Sequence, residues 1–141
     1  MMLRIVSFKH QKGSIKMKYV STEKAPAAIG PYSQGIIAGD FLYASGQIPI
    51  NPENGKIEAK TIEEQADQAI RNAGEILKAA GADYKDVVKT TCFLSDMSDF
   101  AAFNAVYEKY FTGKPARSCV AAAALPKNVK CEVEVTAYIG K

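Results

Sequence analysis

The sequence predicts an α+β domain in which a single sheet is covered on one face by two helices. Three observations carry that prediction. Apolar residues recur at helical spacing from Ile62 to Ala80, and a second, aromatic stripe of the same period runs from Phe100 to Phe111. From Lys130 onward, apolar and polar side chains alternate strictly, as a strand with one buried face requires.

The elements follow in order along the chain. Ala25-Pro26-Ala27-Ala28-Ile29-Gly30-Pro31 reads as extended loop, because each proline keeps the residue before it out of helix. Gly35 to Ala38 and Phe41 to Ser45 are short apolar runs around Gly39-Asp40, a hairpin signal. Asn51-Pro52-Glu53-Asn54-Gly55 is a turn. Thr61 and Glu64 have the spacing of a capping box, and Gly81 closes the helix they open. Val87 to Leu94 is β-branched enough for a strand. The aromatic helix is expected from about Asp99 to Tyr110, with Ser98 as its cap and Gly113 as its stop. Val120 to Ala124 lies too close to Pro115 and Pro126 for a comfortable helix, so it reads as a strand of small residues. In the last strand Cys131, Val133, Val135, Ala137 and Ile139 share one face. Glu132, Glu134, Thr136 and Tyr138 share the other.

With 141 residues the chain has room for one core, and no run approaches the roughly 20 apolar residues of a membrane helix. Residues 1–17 form a basic extension, readable as a leader, an alternative start or an appended remnant, with the domain proper at 18–141. Residues 1–18 hold five Lys/Arg and no acid, so residues 19–141 carry 13 bases against 15 acids. A body with a net charge of −2 is not what a nucleic-acid partner selects. Cys92, Cys119 and Cys131 are odd in number and widely spaced, which argues for a reducing compartment and against a disulfide framework. The cytoplasm is the expected location, or the mitochondrion if the extension is a presequence. The one histidine, His10, lies in the extension, so the domain has no His base, no Cys–His pair and no usual zinc set.

What remains is Arg117, in Pro115-Ala116-Arg117-Ser118-Cys119, with Glu132 on the following strand. A planar cation grips a carboxylate through two parallel hydrogen bonds, and a carboxylate beside it can activate a water. A plain surface ion pair fits the same two residues. The aromatic stripe reads as core packing, and Asn104 interrupts it with an amide that needs partners if buried.

Seven short motifs occur together and in order: Gly30-Pro31-Tyr32-Ser33-Gln34, Ser45-Gly46-Gln47-Ile48-Pro49, Val88-Lys89-Thr90-Thr91, Asn104 with Tyr107, Pro115 to Cys119, Leu125-Pro126 and Glu132-Val133-Glu134. In these the chain resembles the RidA family (YjgF/YER057c/UK114), in its arginine-containing deaminase branch, over about residues 18–141. The resemblance implies a chorismate-mutase-like α+β fold and a homotrimer with clefts between subunits. It also implies hydrolysis of enamines and imines such as 2-aminoacrylate, 2-iminopropanoate and 2-iminobutanoate to 2-keto acids and ammonia, which protects pyridoxal-phosphate enzymes. No cofactor or metal is implied. Arg117 would bind the substrate carboxylate and Glu132 would orient the attacking water. Main-chain groups of Gly46 and Cys119 would complete the binding, and Tyr32, Ser45 and Asn104 would line the cleft. Two other readings stand beside it: a non-catalytic module that binds a 2-keto or amino acid, and, more weakly, a ribonuclease or translation inhibitor. No membrane partner is expected.

Overall fold

The computed structural model describes the backbone of residues 4–9 and 16–140, and side chains from residue 17 onward. Its strands are β1 (Arg4–Lys9), β2 (Lys16–Ser21), β3 (Gly35–Ala38), β4 (Phe41–Ala44), β5 (Val87–Leu94), β6 (Ala116–Ala121) and β7 (Cys131–Tyr138). They form one sheet in the order β1-β2-β3-β4-β7-β5-β6, antiparallel throughout except for the parallel β5–β6 pair. Helices α1 (Ile62–Ala79) and α2 (Phe100–Tyr110) pack on one face.

The hairpin forms where expected, with Gly39 at a positive φ of 61° in its turn. α1 begins at Thr61, whose Oγ accepts the Glu64 N–H at 3.2 Å, while the Glu64 carboxylate reaches back to the Lys60 N–H at 3.1 Å. Ala66, Ala69 and Ala73 are fully buried, and their small side chains let the helix lie close on the sheet. Gly35 serves the same approach from below: a Cβ there would come within 3.1 Å of Ile76 Cγ2. The β7 alternation holds, with Cys131, Val133, Val135 and Ala137 at 0–1% exposure against the helices. The opposite face carries Phe41, Tyr43, Val120 and Tyr138, all exposed. This is the two-layer α+β fold the sequence predicts.

Three details differ from the sequence reading. Ser98 does not cap α2. Asp96 accepts the Ser98 N–H at 2.8 Å and caps a single 3-10 turn, Met97–Asp99, that runs into the helix. The small-residue strand starts at Ala116 rather than Val120, because parallel pairing with β5 begins at Lys89↔Ala116 and ends at Leu94↔Ala121. Arg117 and Cys119 are therefore inside a strand and not before one. β2 and β1 were not anticipated, and they lengthen the sheet at one edge. β1 and the first residues of β2 belong to the basic extension; the rest of it, His10 included, lies outside the described residues.

Candidate active site

Arg117 sits on edge strand β6, in register with Thr90. Thr90 is fully buried beneath α2, where its hydroxyl hydrogen-bonds Tyr107 Oη at 2.7 Å. Residues in register share a face, so Arg117 also points to the helix layer. There its Nη1 donates to Asn104 Oδ1 at 2.7 Å. The guanidinium carbon stands 4.8 Å from the Tyr107 ring centroid and 5.4 Å from that of Phe100. Aromatic faces and an amide oxygen hold the cation without neutralising it. Asn104 and Arg117 border a shallow recess with Tyr107, Lys114 and Pro115.

Glu132 occupies a different place. It pairs with Phe93 on the face away from the helices, half-buried, in a cavity of about 430 Å³ that Tyr32, Ser45, Gly46 and Lys127 also line. Gly46 lies directly against its carboxylate, and a Cβ at that position would overlap Oε1. Burial, and then the Glu134 carboxylate on the same face, push Glu132 above the usual carboxylate range. Ser45 is committed to the scaffold: its Oγ donates to the Ser33 carbonyl at 2.5 Å and secures the loop that carries Tyr32, itself half-exposed.

The predicted residues thus fall into two groups. Tyr32, Ser45, Gly46 and Glu132 come together on the open side, and Asn104 and Arg117 on the helix side. Within one chain the structure does not join the two groups. Glu132 is in register with Val120, two strands away and three residues along from Arg117. That separates them by about 10 Å across the sheet and about 10 Å along it, on opposite faces. The expected neighbour pair of cation and carboxylate is corrected accordingly: sequence proximity of two strands says nothing about facing.

Cys119, on β6 with Arg117, is half-buried against the core. Burial pushes its thiol up, with the Arg117 charge opposing, so it is not an activated nucleophile. Burial also pushes Cys92 and Cys131 up to about 12. The Cys119 main chain is better placed. The Ala122 N–H bonds Leu94 O, and alternation then turns the Cys119 N–H and C=O to the unpaired edge of β6. Among the described residues no three His, Cys, Asp or Glu side chains converge to hold a metal ion.

Two buried amides escaped the sequence reading. Gln34 bonds the Thr22 N–H at 2.6 Å through its oxygen and the Thr22 and Pro26 carbonyls at 3.0 and 2.8 Å through its nitrogen, fixing the loop beside the cavity. Asn72 of α1 donates to the Ile48 and Ile50 carbonyls at 3.0 and 2.9 Å. A signal for Asn72 was visible: it stands three residues after Ala69 and four before Ile76, inside the apolar stripe.

Residues 22–139 match the sequence profile of the family described as Endoribonuclease L-PSP. The chain is 52% identical over 127 residues to Reactive Intermediate Deaminase A, chloroplastic, of Arabidopsis thaliana, covering 89% of this chain and 68% of that protein. It is 50% identical over 124 residues to the 2-iminobutanoate/2-iminopropanoate deaminase of Escherichia coli K12, covering 85% and 96%. A crystal structure of E. coli TdcF with bound serine superposes with a TM-score of 0.83 at 42% identity, covering 87% of this chain and 99% of that one.

Proposed function

The chain belongs to the RidA family, and from that premise we propose that it hydrolyses imines and enamines of 2-amino acids, 2-iminopropanoate and 2-iminobutanoate among them, to 2-keto acids and ammonia. The observation that carries the mechanism is Glu132: a half-buried carboxylate of raised proton affinity, set in a cavity and closed over by Gly46. A base whose pKa is lifted toward the working pH accepts a proton more effectively than an ordinary glutamate holds one.

In this mechanism Arg117 takes the substrate carboxylate through its guanidinium fork, and the Cys119 main chain at the open edge of β6 receives the imino end. Glu132 removes a proton from a water as the oxygen attacks the C=N carbon, and returns it to nitrogen. The carbinolamine then collapses to keto acid and ammonia. The substrate carbon is already electrophilic, so positioning supplies most of what is required.

Because Arg117 and Glu132 lie on opposite faces of one sheet, this reading assembles each site from two copies of the chain, in a trimer that packs through the open face bearing Phe41, Tyr43, Val120 and Tyr138. The protein would work in a reducing compartment, in keeping with its three free cysteines. A module that binds a 2-keto or amino acid without turnover would need the Arg117 recess but not a basic Glu132. RNA cleavage lacks support in a body of net charge −2 whose one histidine is outside it.

The test couples the purified protein to a serine or threonine dehydratase and follows enamine loss against keto-acid appearance. Turnover above the spontaneous rate is expected. Arg117→Ala should cut kcat/KM by about 10²–10⁴-fold, the loss of two hydrogen bonds to a charged group at about 1.5–3 kcal/mol each. Equal rates for wild type and Arg117→Ala would end the deaminase reading. A monomer by light scattering would end the two-copy site.

A further inference from the structure

We propose that Thr90 is a positioning residue for the grip on the substrate carboxylate: its buried hydroxyl ties down the Tyr107 ring against which the Arg117 guanidinium rests. The inference rests on the deaminase reading and adds to it how the interior of the sheet steadies a cation carried on an edge strand.

Arg117 stands on a strand that pairs on one side only, whereas Thr90, its partner in register, stands on β5 between β7 and β6. The buried row of β5 is otherwise apolar: Val87, Cys92 and Leu94. Valine has nearly the shape of threonine, so packing alone gives no reason for a hydroxyl there, and a buried hydroxyl is costly unless it is bonded. Thr90 Oγ meets Tyr107 Oη at 2.7 Å, with Thr90 at 0% exposure and Tyr107 at 8%. A β-branched side chain has few rotamers, so the backbone of β5 fixes where that oxygen lies.

The bond acts on the ring as a whole. Tyr107 Oη lies on the axis about which the ring turns, so Thr90 fixes the direction of that axis. Rotation about it is limited by Phe111, centred 4.5 Å away at 32°, and by Phe103 at 5.9 Å and 37°. The ring so held lies 4.8 Å from the guanidinium carbon. Burial pushes the phenol up, with the Thr90 bond opposing, so the ring stays neutral and leaves the Arg117 charge free for an anion. Without the Thr90 hydroxyl the buried phenol needs another partner. Tyr107 borders the Arg117 recess, and that is the side on which it can reach water. Turning there would carry the ring toward the place of the guanidinium. Thr90 touches no substrate and acts through Tyr107.

The experiment titrates the protein with 2-oxobutanoate, the keto acid that 2-iminobutanoate would yield, and measures kcat and KM for 2-iminobutanoate. All measurements are made well below each variant's melting temperature. Thr90→Val removes the hydroxyl and keeps the shape, so it should raise Kd and KM about tenfold with kcat within about twofold of wild type. Thr90→Ser keeps the hydroxyl and should hold the Kd within about threefold of wild type. Tyr107→Phe removes the group that seeks a partner, so in that background Thr90→Val should change the Kd by less than about twofold. A merely structural role would lower the melting temperature of Thr90→Val and leave its Kd unchanged, and that result overturns the inference. So does an equal rise in Kd in both backgrounds, because the effect would then not pass through the phenol. If Thr90→Val does not fold, Tyr107→Phe alone reads the bond from its other end: a Kd raised about threefold supports the inference, and a Kd equal to wild type overturns it. Equal affinity of wild type and Arg117→Ala for 2-oxobutanoate would instead remove Arg117 as the carboxylate anchor, and the inference with it.

Discussion

Arg117 and Glu132 are the two charged groups on which the chemistry depends, and the fold treats them in opposite ways. Arg117 is supported by contact: an amide oxygen at 2.7 Å and two aromatic faces, all from α2. None of these partners carries a charge, so the cation keeps its appetite for an anion and one edge of its fork stays available. Glu132 is supported by confinement. A glycine lies on its carboxylate, a like charge stands on its face, and its ionised form is disfavoured. A binding group is made by holding a charge ready, whereas a base is made by making its charge uncomfortable.

Glu132→Gln is the strongest way to sharpen that contrast. It keeps the shape and removes the proton acceptor, so kcat should fall by about 10²–10⁴-fold while KM changes little. The pH profile gives the sign independently. The ionised carboxylate is the working form, so wild-type kcat/KM should decline as pH falls through its raised pKa, at a higher pH than the ordinary glutamate value of about 4.3. Glu132→Gln should lack that acid limb. An unchanged limb would assign the titration to another group and break the comparison on the carboxylate side.

Gly46→Ala should come next. The added Cβ overlaps the carboxylate, and a displacement costing about 1–3 kcal/mol corresponds to a loss of roughly 10–100-fold in kcat, with substrate affinity better preserved. If Gly46→Ala raised KM and left kcat intact, confinement would not be what tunes Glu132.

Asn104→Leu should have the smallest effect and the reverse signature. Removing the oxygen that steadies Arg117 should raise KM by about 3–10-fold, the worth of one hydrogen bond, with kcat largely kept. Titration with a non-reacting 2-keto acid would read the same loss directly. A variant that bound normally but turned over slowly would place Asn104 in the chemistry and undo the division between the two regions.

Much of the fold was legible because it is written in periodic form. The Thr61–Glu64 spacing located the start of α1, and the strict alternation after Lys130 put Glu132 on the face away from the helices. Strand β6 was harder, since Ala116–Ala121 carries small residues with no clear alternation and its bounds are set by pairing with β5. β2 was missed because only the neighbouring strands define it as a strand, although Val20 is buried at 1% exposure. Ser98 looked like a cap by type, but Asp96, two residues earlier, captured the free amide first.

The site divides along the same line. By itself the sequence determined the chemical inventory: no histidine in the body, one arginine in a distinctive motif, one glutamate at a defined strand position, and an ordered set of motifs shared with one family. Residue type and local period suffice for that, because both are properties of short stretches of chain. Only the tertiary structure decided that Arg117 and Glu132 face opposite ways, that Gly46 lies over the carboxylate, and that Asn72 bonds the Ile50 and Ile48 carbonyls from 22 and 24 residues away. Strand register and long-range hydrogen bonds depend on which segments meet, and a one-residue change of register would turn every side chain to the other face.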